Sequence, residues 1–441
     1  MKKLISLLLA AVLLFSLTAC SDKEEKEEET TTETEAVIET TEPVEETTAP
    51  TDEKEEEDED FSAVTVIDNE YCKIEVTGLS EDLFGTVLNV TAENKTTDKN
   101  LFFATENCSI NGVAVESVFS ENVTAGNKAV SSISFLDDNL TENGITEYTD
   151  IEIAFRVYDG DDWTGDDLVK RSAHIYPYGE DKAERFTREA KSTDVPVFDN
   201  DEVSATIIGW GTDDVFGYCL SFFFENKSAD TEYTFDISTL AVNGVETIPA
   251  AAFIIPAGKI GLEKCHITEG ELTSYGITDF NDIFFTMSAF ETDNWEAEDV
   301  AKQSIHVYPN GEENAIPFVR EAKAADKIIA DNDMITVIAT GVTENELFDS
   351  QDLGFYFINK TDKELMFAID GVSVNGIMMD PLFAINVHPG FSRFGEASWY
   401  GNELEEHGID EITEIEFTMI SRDANDWDAE DIISEKVVYN P

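Results

Sequence analysis

The sequence predicts an all-β chain in which three tandem antiparallel β-sandwich repeats follow a leader and a charged tether. Three observations predict it: words that recur at a step of 132 residues, apolar residues that alternate with period two, and Asn-Gly pairs set between apolar runs. Length agrees, since 441 residues leave room for about three domains at roughly 150 residues each. The hydrophobic fraction of 42% is enough to build cores, while 94 acidic against 28 basic side chains give a net charge of −66. A chain so acidic repels polyanions, which excludes nucleic-acid binding through a basic patch and charge attachment to anionic lipid.

The leader comes first. Lys2 and Lys3 precede an apolar run from Leu4 to Leu17, and charge begins abruptly after Cys20. That is the pattern of an export signal, too short at about 14 apolar residues to replace the roughly 20 of a spanning helix. Leu17-Thr18-Ala19-Cys20 resembles the lipobox of bacterial lipoproteins. The resemblance implies cleavage after Ala19 and lipidation of Cys20 by diacylglycerol and a palmitate-type chain, which places the protein on the extracellular face of the bacterial cell membrane. Acyl burial at about 0.8 kcal/mol per CH₂ then anchors the chain without help from the polypeptide.

Residues 21 to 60 hold 20 Asp and Glu, 3 Lys and many Thr, with only Val37, Ile38 and Val44 as apolar residues beyond Ala. Low hydrophobicity with dense like charge predicts a disordered acidic tether that lifts the rest away from the bilayer.

The repeats are expected at 61 to 178, 195 to 309 and 327 to 441. Trp163, Trp295 and Trp427 recur at the 132-residue step, as do Gly144-Ile145, Gly276-Ile277 and Gly408-Ile409, and Asn111-Gly112, Asn243-Gly244 and Asn375-Gly376. Two linker words, Arg188-Glu189-Ala190-Lys191 and Arg320-Glu321-Ala322-Lys323, stand at the same step. Within a repeat, Leu220, Phe222 and Phe224 alternate with Ser221, Phe223 and Glu225, and matching runs lie at Leu88, Val90, Ala92 and at Leu353, Phe355, Phe357. Each run stops at an Asn-Lys pair, headed by Asn94, Asn226 and Asn359. The Asn-Gly pairs suit type I′ hairpin turns, whose two central positions need positive φ. Further strands are expected over 73–77, 151–157, 283–290 and 415–420. Seven or eight short strands in about 120 residues point to a sandwich, with a closed barrel as the alternative.

Taken with the lipobox and the acidic Thr-rich tether, these repeats resemble the tandem immunoglobulin-like repeats of Gram-positive surface lipoproteins. The resemblance implies surface exposure and a non-catalytic binding or display role, with a protein, glycan or cell-envelope component as ligand. It departs from antibody-type domains in lacking a Cys pair that spans a Trp.

The acidic word around each Trp comes closest to site chemistry: Asp159, Asp161, Asp162, Asp166 and Asp167 in the first repeat, Glu291, Asp293, Asn294, Glu298 and Asp299 in the second, Asp423, Asn425, Asp426, Glu430 and Asp431 in the third. Oxygens this dense could hold calcium, although the spacing does not follow the EF-hand loop. A short helical turn starting at the Trp and capped by Asp162, Asn294 or Asp426 explains the same residues, because carboxylates favour the positive end of a helix. Cys72, Cys108 and Cys265 align with aliphatic core positions and Cys219 has the opposite parity to Leu220; free, buried thiols are expected, with a Cys72–Cys108 bridge as the alternative that export would permit. The five His form no zinc or catalytic spacing. No metalloprotease, nucleophile-elbow, P-loop or dinucleotide motif occurs. A non-enzymatic chain without cofactor or metal is therefore expected. The competing expectations are a carbohydrate-active hydrolase that uses an exposed acidic pair, and a purely structural spacer.

Overall fold

The computed structural model describes residues 61–82, 85–136, 138–162, 164–213, 217–248, 251–294, 296–426 and 428–441. Cys20, the leader and tether expected over residues 1–60, and the three repeat tryptophans Trp163, Trp295 and Trp427 lie outside the described residues.

The described residues are mostly β, with three short α-helices and two 3-10 turns, and the same order of strands and α-helix occurs three times. In the first unit the strands are Val64–Asp68, Cys72–Asp82, Gly85–Asn94, Leu101–Ile110, Val113–Val118, Ser120–Val123, Lys128–Leu136, Ile151–Asp159 and Val169–Ile175. The alternation read from the sequence is what separates inside from outside: Leu220, Phe222 and Phe224 on strand Gly217–Asn226 are fully buried, and the cores of the second and third units are built from such residues.

Each unit stacks two antiparallel layers. One joins Val64–Asp68, Cys72–Asp82, Gly85–Asn94 and Lys128–Leu136. The other joins Ser120–Val123, Leu101–Ile110, Ile151–Asp159 and Val169–Ile175. The chain leaves the first layer after Asn94, returns to it at Lys128 and leaves it again through a helix. Strand Val113–Val118 pairs with both Leu101–Ile110 and Lys128–Leu136, so one edge of the first sandwich is closed.

The recurring Asn residues have two separate jobs. Asn111, Asn243 and Asn375 sit at φ 51°, 51° and 50°, each followed by a glycine at φ 80°, 84° and 82°, which is the type I′ geometry the hairpins require. Asn94, Asn226 and Asn359 are buried at strand ends. The Asn226 side-chain amide donates to the Thr231 and Ile255 carbonyls at 2.8 and 2.9 Å, and its Oδ1 accepts the Ser228 N–H at 3.0 Å. A buried polar side chain is tolerated there because its hydrogen-bonding groups are satisfied, and it ties a loop to the next layer.

The helices Asp138–Glu142, Glu269–Tyr275 and Gly401–Glu406 explain the recurring Gly-Ile words, which period-two reading leaves without a role. The Ile145 N–H donates to Leu140 O at 2.9 Å and the Gly144 N–H to Thr141 O at 3.0 Å, with Gly144 at φ 81°. This is a Schellman end, in which glycine supplies the left-handed residue and the following isoleucine packs down. The bonds Ile277 to Leu272 (2.8 Å) and Ile409 to Leu404 (2.9 Å) repeat it, and all three Leu–Ile pairs are buried.

Among the described residues no helix is long and apolar enough to cross a membrane.

Candidate functional site

The acidic words form tight turns. In the first unit Asp159 accepts the Asp161 N–H at 3.1 Å and pairs with Lys99 at 2.7 Å, the Gly165 N–H donates to Asp162 O at 3.2 Å, and Asp167 takes Arg156 at 2.9 Å. The third unit repeats the plan: Asp423 accepts Asn425 N–H at 2.9 Å and pairs with Lys363 at 2.8 Å, and Asp431 pairs with Arg422 at 3.0 Å. These contacts hold the Asp159 and Asp423 carboxyls below the usual carboxylate range, chiefly through the lysine bonds. The expected short turn is closed between residues three apart in all three units, the Ala297 N–H donating to Asn294 O at 3.0 Å and the Ala429 N–H to Asp426 O at 3.2 Å. Among the described residues no three His, Cys, Asp or Glu side chains converge as a metal-binding group.

His174 and His306 occupy equivalent strand positions, each 2.7 Å from an aspartate (Asp150, Asp282) and stacked on a tyrosine (Tyr176, Tyr308). They are exposed stacking residues.

Cys72, Cys108 and Cys265 are free and buried, and Cys219 is buried despite its outward parity. Burial pushes the Cys72 thiol up to about 11 and the Cys265 thiol up to about 12, and raises Cys108 further still. Thiols held protonated react slowly. Iodoacetamide at pH 8 is expected to leave all four unmodified in the folded chain and to modify them after denaturation, read by mass spectrometry; rapid labelling of the native protein would contradict this.

The junctions between units carry most of the organisation that the sequence leaves hidden. The words at 188–191 and 320–323, expected as linkers, are clamps. Arg188 donates two parallel bonds of 2.7 Å to Asp194, and Arg320 donates bonds of 2.8 and 2.7 Å to Asp326; the aspartates also accept the Lys191 and Lys323 N–H at 2.7 Å. Each connecting segment is bonded to the preceding Asn-Gly hairpin, Phe186 N–H to Asn111 O at 2.8 Å and Phe318 N–H to Asn243 O at 3.0 Å. The same hairpins receive the next unit: Ile260 N–H donates to Gly112 O and Ser392 N–H to Gly244 O, both at 3.0 Å. Short parallel pairings (Val113 with Ile260, Val245 with Ser392) carry the sheets across.

On this shared frame the two junctions differ in chemistry. At the first, Lys259 pairs with Glu152, Lys264 with Glu142 at 2.7 Å, and Asn107 donates to Glu232 at 2.8 Å. At the second, the positions of Lys259 and Glu152 are taken by Phe391 and Phe284, whose rings lie 4.7 Å apart, beside Tyr275 stacked on Phe394 at 4.4 Å. Buried Glu246 accepts the His388 backbone N–H at 2.9 Å and lies 2.7 Å from its Nδ1.

Between the first and second units opens a cleft of about 560 Å³, lined by Val115, Leu136, Phe253 and Ile254 and by the carboxylates of Glu116 and Glu263. Burial, then the Glu116 charge, raises the Glu263 carboxyl to about 7. Nothing in sequence spacing marks this pair, because Glu116 and Glu263 are brought together by two different units.

No protein-family model matches the chain, and no curated protein matches it in sequence.

Proposed function

We propose that the chain is a lipid-anchored extracellular surface protein, a non-catalytic binding and display array of three immunoglobulin-like sandwiches. The strand pairing supports the immunoglobulin-like reading. Gly85–Asn94 pairs with Lys128–Leu136 in one layer while Leu101–Ile110 pairs with Ile151–Asp159 in the other, so the chain alternates between layers as a Greek-key sandwich does. The observation that carries the functional reading is the duplicated junction: the Arg–Asp clamp and the hairpin-to-strand bonds occur at both boundaries. An array that must hold a surface at fixed distance and orientation needs such joints, and flexible tandem domains do not. The dense negative charge, with 74 acidic and 23 basic groups in residues 61 to 441, suits a soluble array whose partner is cationic or neutral.

Membrane attachment rests on Cys20. Replacing it by Ser is expected to release the protein from the membrane fraction into the medium, read by fractionation and immunoblotting. A Cys20→Ser chain that stays with the membrane overturns the anchoring.

A further inference from the structure

We propose that the cleft between the first and second units binds a small organic cation, an amine carried on an apolar body. Its volume of about 560 Å³ lies within the range of small-molecule sites. Its walls are amphipathic in one sense only. Leu136 and Ile254 stand at the cleft with 59% and 49% of their surface exposed, and Phe253 and Val115 complete an apolar lining. The titratable lining groups are Glu116, Glu263 and the buried thiol of Cys108, and no lysine or arginine lines the cleft.

Neither carboxylate is joined by a hydrogen bond or ion pair to another described residue, although Glu263 is half-buried and feels the charge of Glu116. Two carboxylates set together in a partly dry site without a cation are costly, and an ammonium group between them removes the cost. The junction itself does not require them. At the second junction the equivalent positions hold Ile248 for Glu116 and Gly395 for Glu263, and Thr268 and Asn386 replace Leu136 and Ile254, yet the clamp and hairpin bonds are the same. The acidic, apolar-walled cleft is therefore an addition to the shared frame, and amine binding is the use its chemistry fits.

The test is a calorimetric titration of the full chain at pH 8 with phenethylamine, with 2-phenylethanol as the neutral isostere and 3-phenylpropionate as the anion. Saturable binding of the amine is expected, at least about tenfold tighter than that of the alcohol, with no binding of the acid. Glu263→Gln and Glu116→Gln should each weaken the amine about tenfold or more and leave the alcohol unchanged. Two variants are used so that a folding defect in one leaves the other decisive. Absence of saturable binding up to about 10 mM amine, equal affinity for amine and alcohol, or indifference to both substitutions overturns the proposal. The inference rests on the preceding reading only in expecting binding without turnover; a blank titration leaves the Cys20 fractionation result untouched, and a failed anchor leaves the titration untouched.

Discussion

Replacing Arg320 by alanine is expected to cost about 3 kcal/mol and to free the third unit from the second. The guanidinium and the Asp326 carboxylate are only 8% and 11% exposed, joined by two short parallel bonds, and the guanidinium also lies 5.7 Å from the Tyr356 ring centre. Removing it strands a nearly buried carboxylate that keeps one backbone donor, the Lys323 N–H. The pH dependence follows. The Arg320 bond holds the Asp326 carboxyl below the ordinary carboxylate value, so its stabilisation is present above the unfolded value near 3.9 and is lost as pH falls below it. Differential scanning calorimetry between pH 3 and pH 7 should therefore show an acid-labile junction in the native chain and a flatter acid limb in Arg320→Ala. An unchanged melting profile would mean that the clamp does not couple the units.

Glu263→Gln is expected to act in the opposite direction, raising stability at alkaline pH by on the order of 1–3 kcal/mol. Burial lifts the folded-state carboxyl to about 7, above its unfolded value. Its favourable contribution is therefore complete below the unfolded value and lost as pH rises toward 7, where the folded chain must ionise a carboxyl beside Glu116. Glutamine keeps the shape and never ionises. Thermal melts should show Glu263→Gln and the native chain close together near pH 4 and separated at pH 8.5, with the variant higher. A variant less stable at pH 8.5 would mean that the ionised carboxylate has a partner. Together with weaker amine binding, this outcome would mark Glu263 as a residue that stability alone disfavours.

Much of the fold was legible in the residues because its signals are local. The alternation of Leu220, Phe222 and Phe224 and the positive-φ demand at Asn111-Gly112 and its two equivalents act within a few positions. The Schellman helices were legible too, in the words from Leu140 to Ile145, Leu272 to Ile277 and Leu404 to Ile409, but a period-two reading passes over helices of five to seven residues. The acidic words predict a short capped turn, and Asp426 does accept the Asp428 N–H at 3.1 Å, but the pairing of Asp159 with Lys99 comes from a residue 60 positions away that the word does not show. The junctions and the cleft were hidden for a different reason. Lys259 with Glu152, or Glu116 with Glu263, are pairs more than a hundred residues apart with no spacing rule to connect them, and only the docking of one unit on the next gives either partner a meaning.

The three units form one jointed array whose sheets continue across both boundaries. Amide hydrogen exchange at Ile260 and Ser392 tests it most directly, since each N–H is committed to the hairpin of the preceding unit, at Gly112 O and Gly244 O. Slow exchange is expected at both amides, comparable to that of core-strand amides such as Phe222 and Phe355, with faster exchange at Ser392 in Arg320→Ala. Exchange of Ile260 and Ser392 at free-peptide rates while Phe222 and Phe355 stay protected would contradict it.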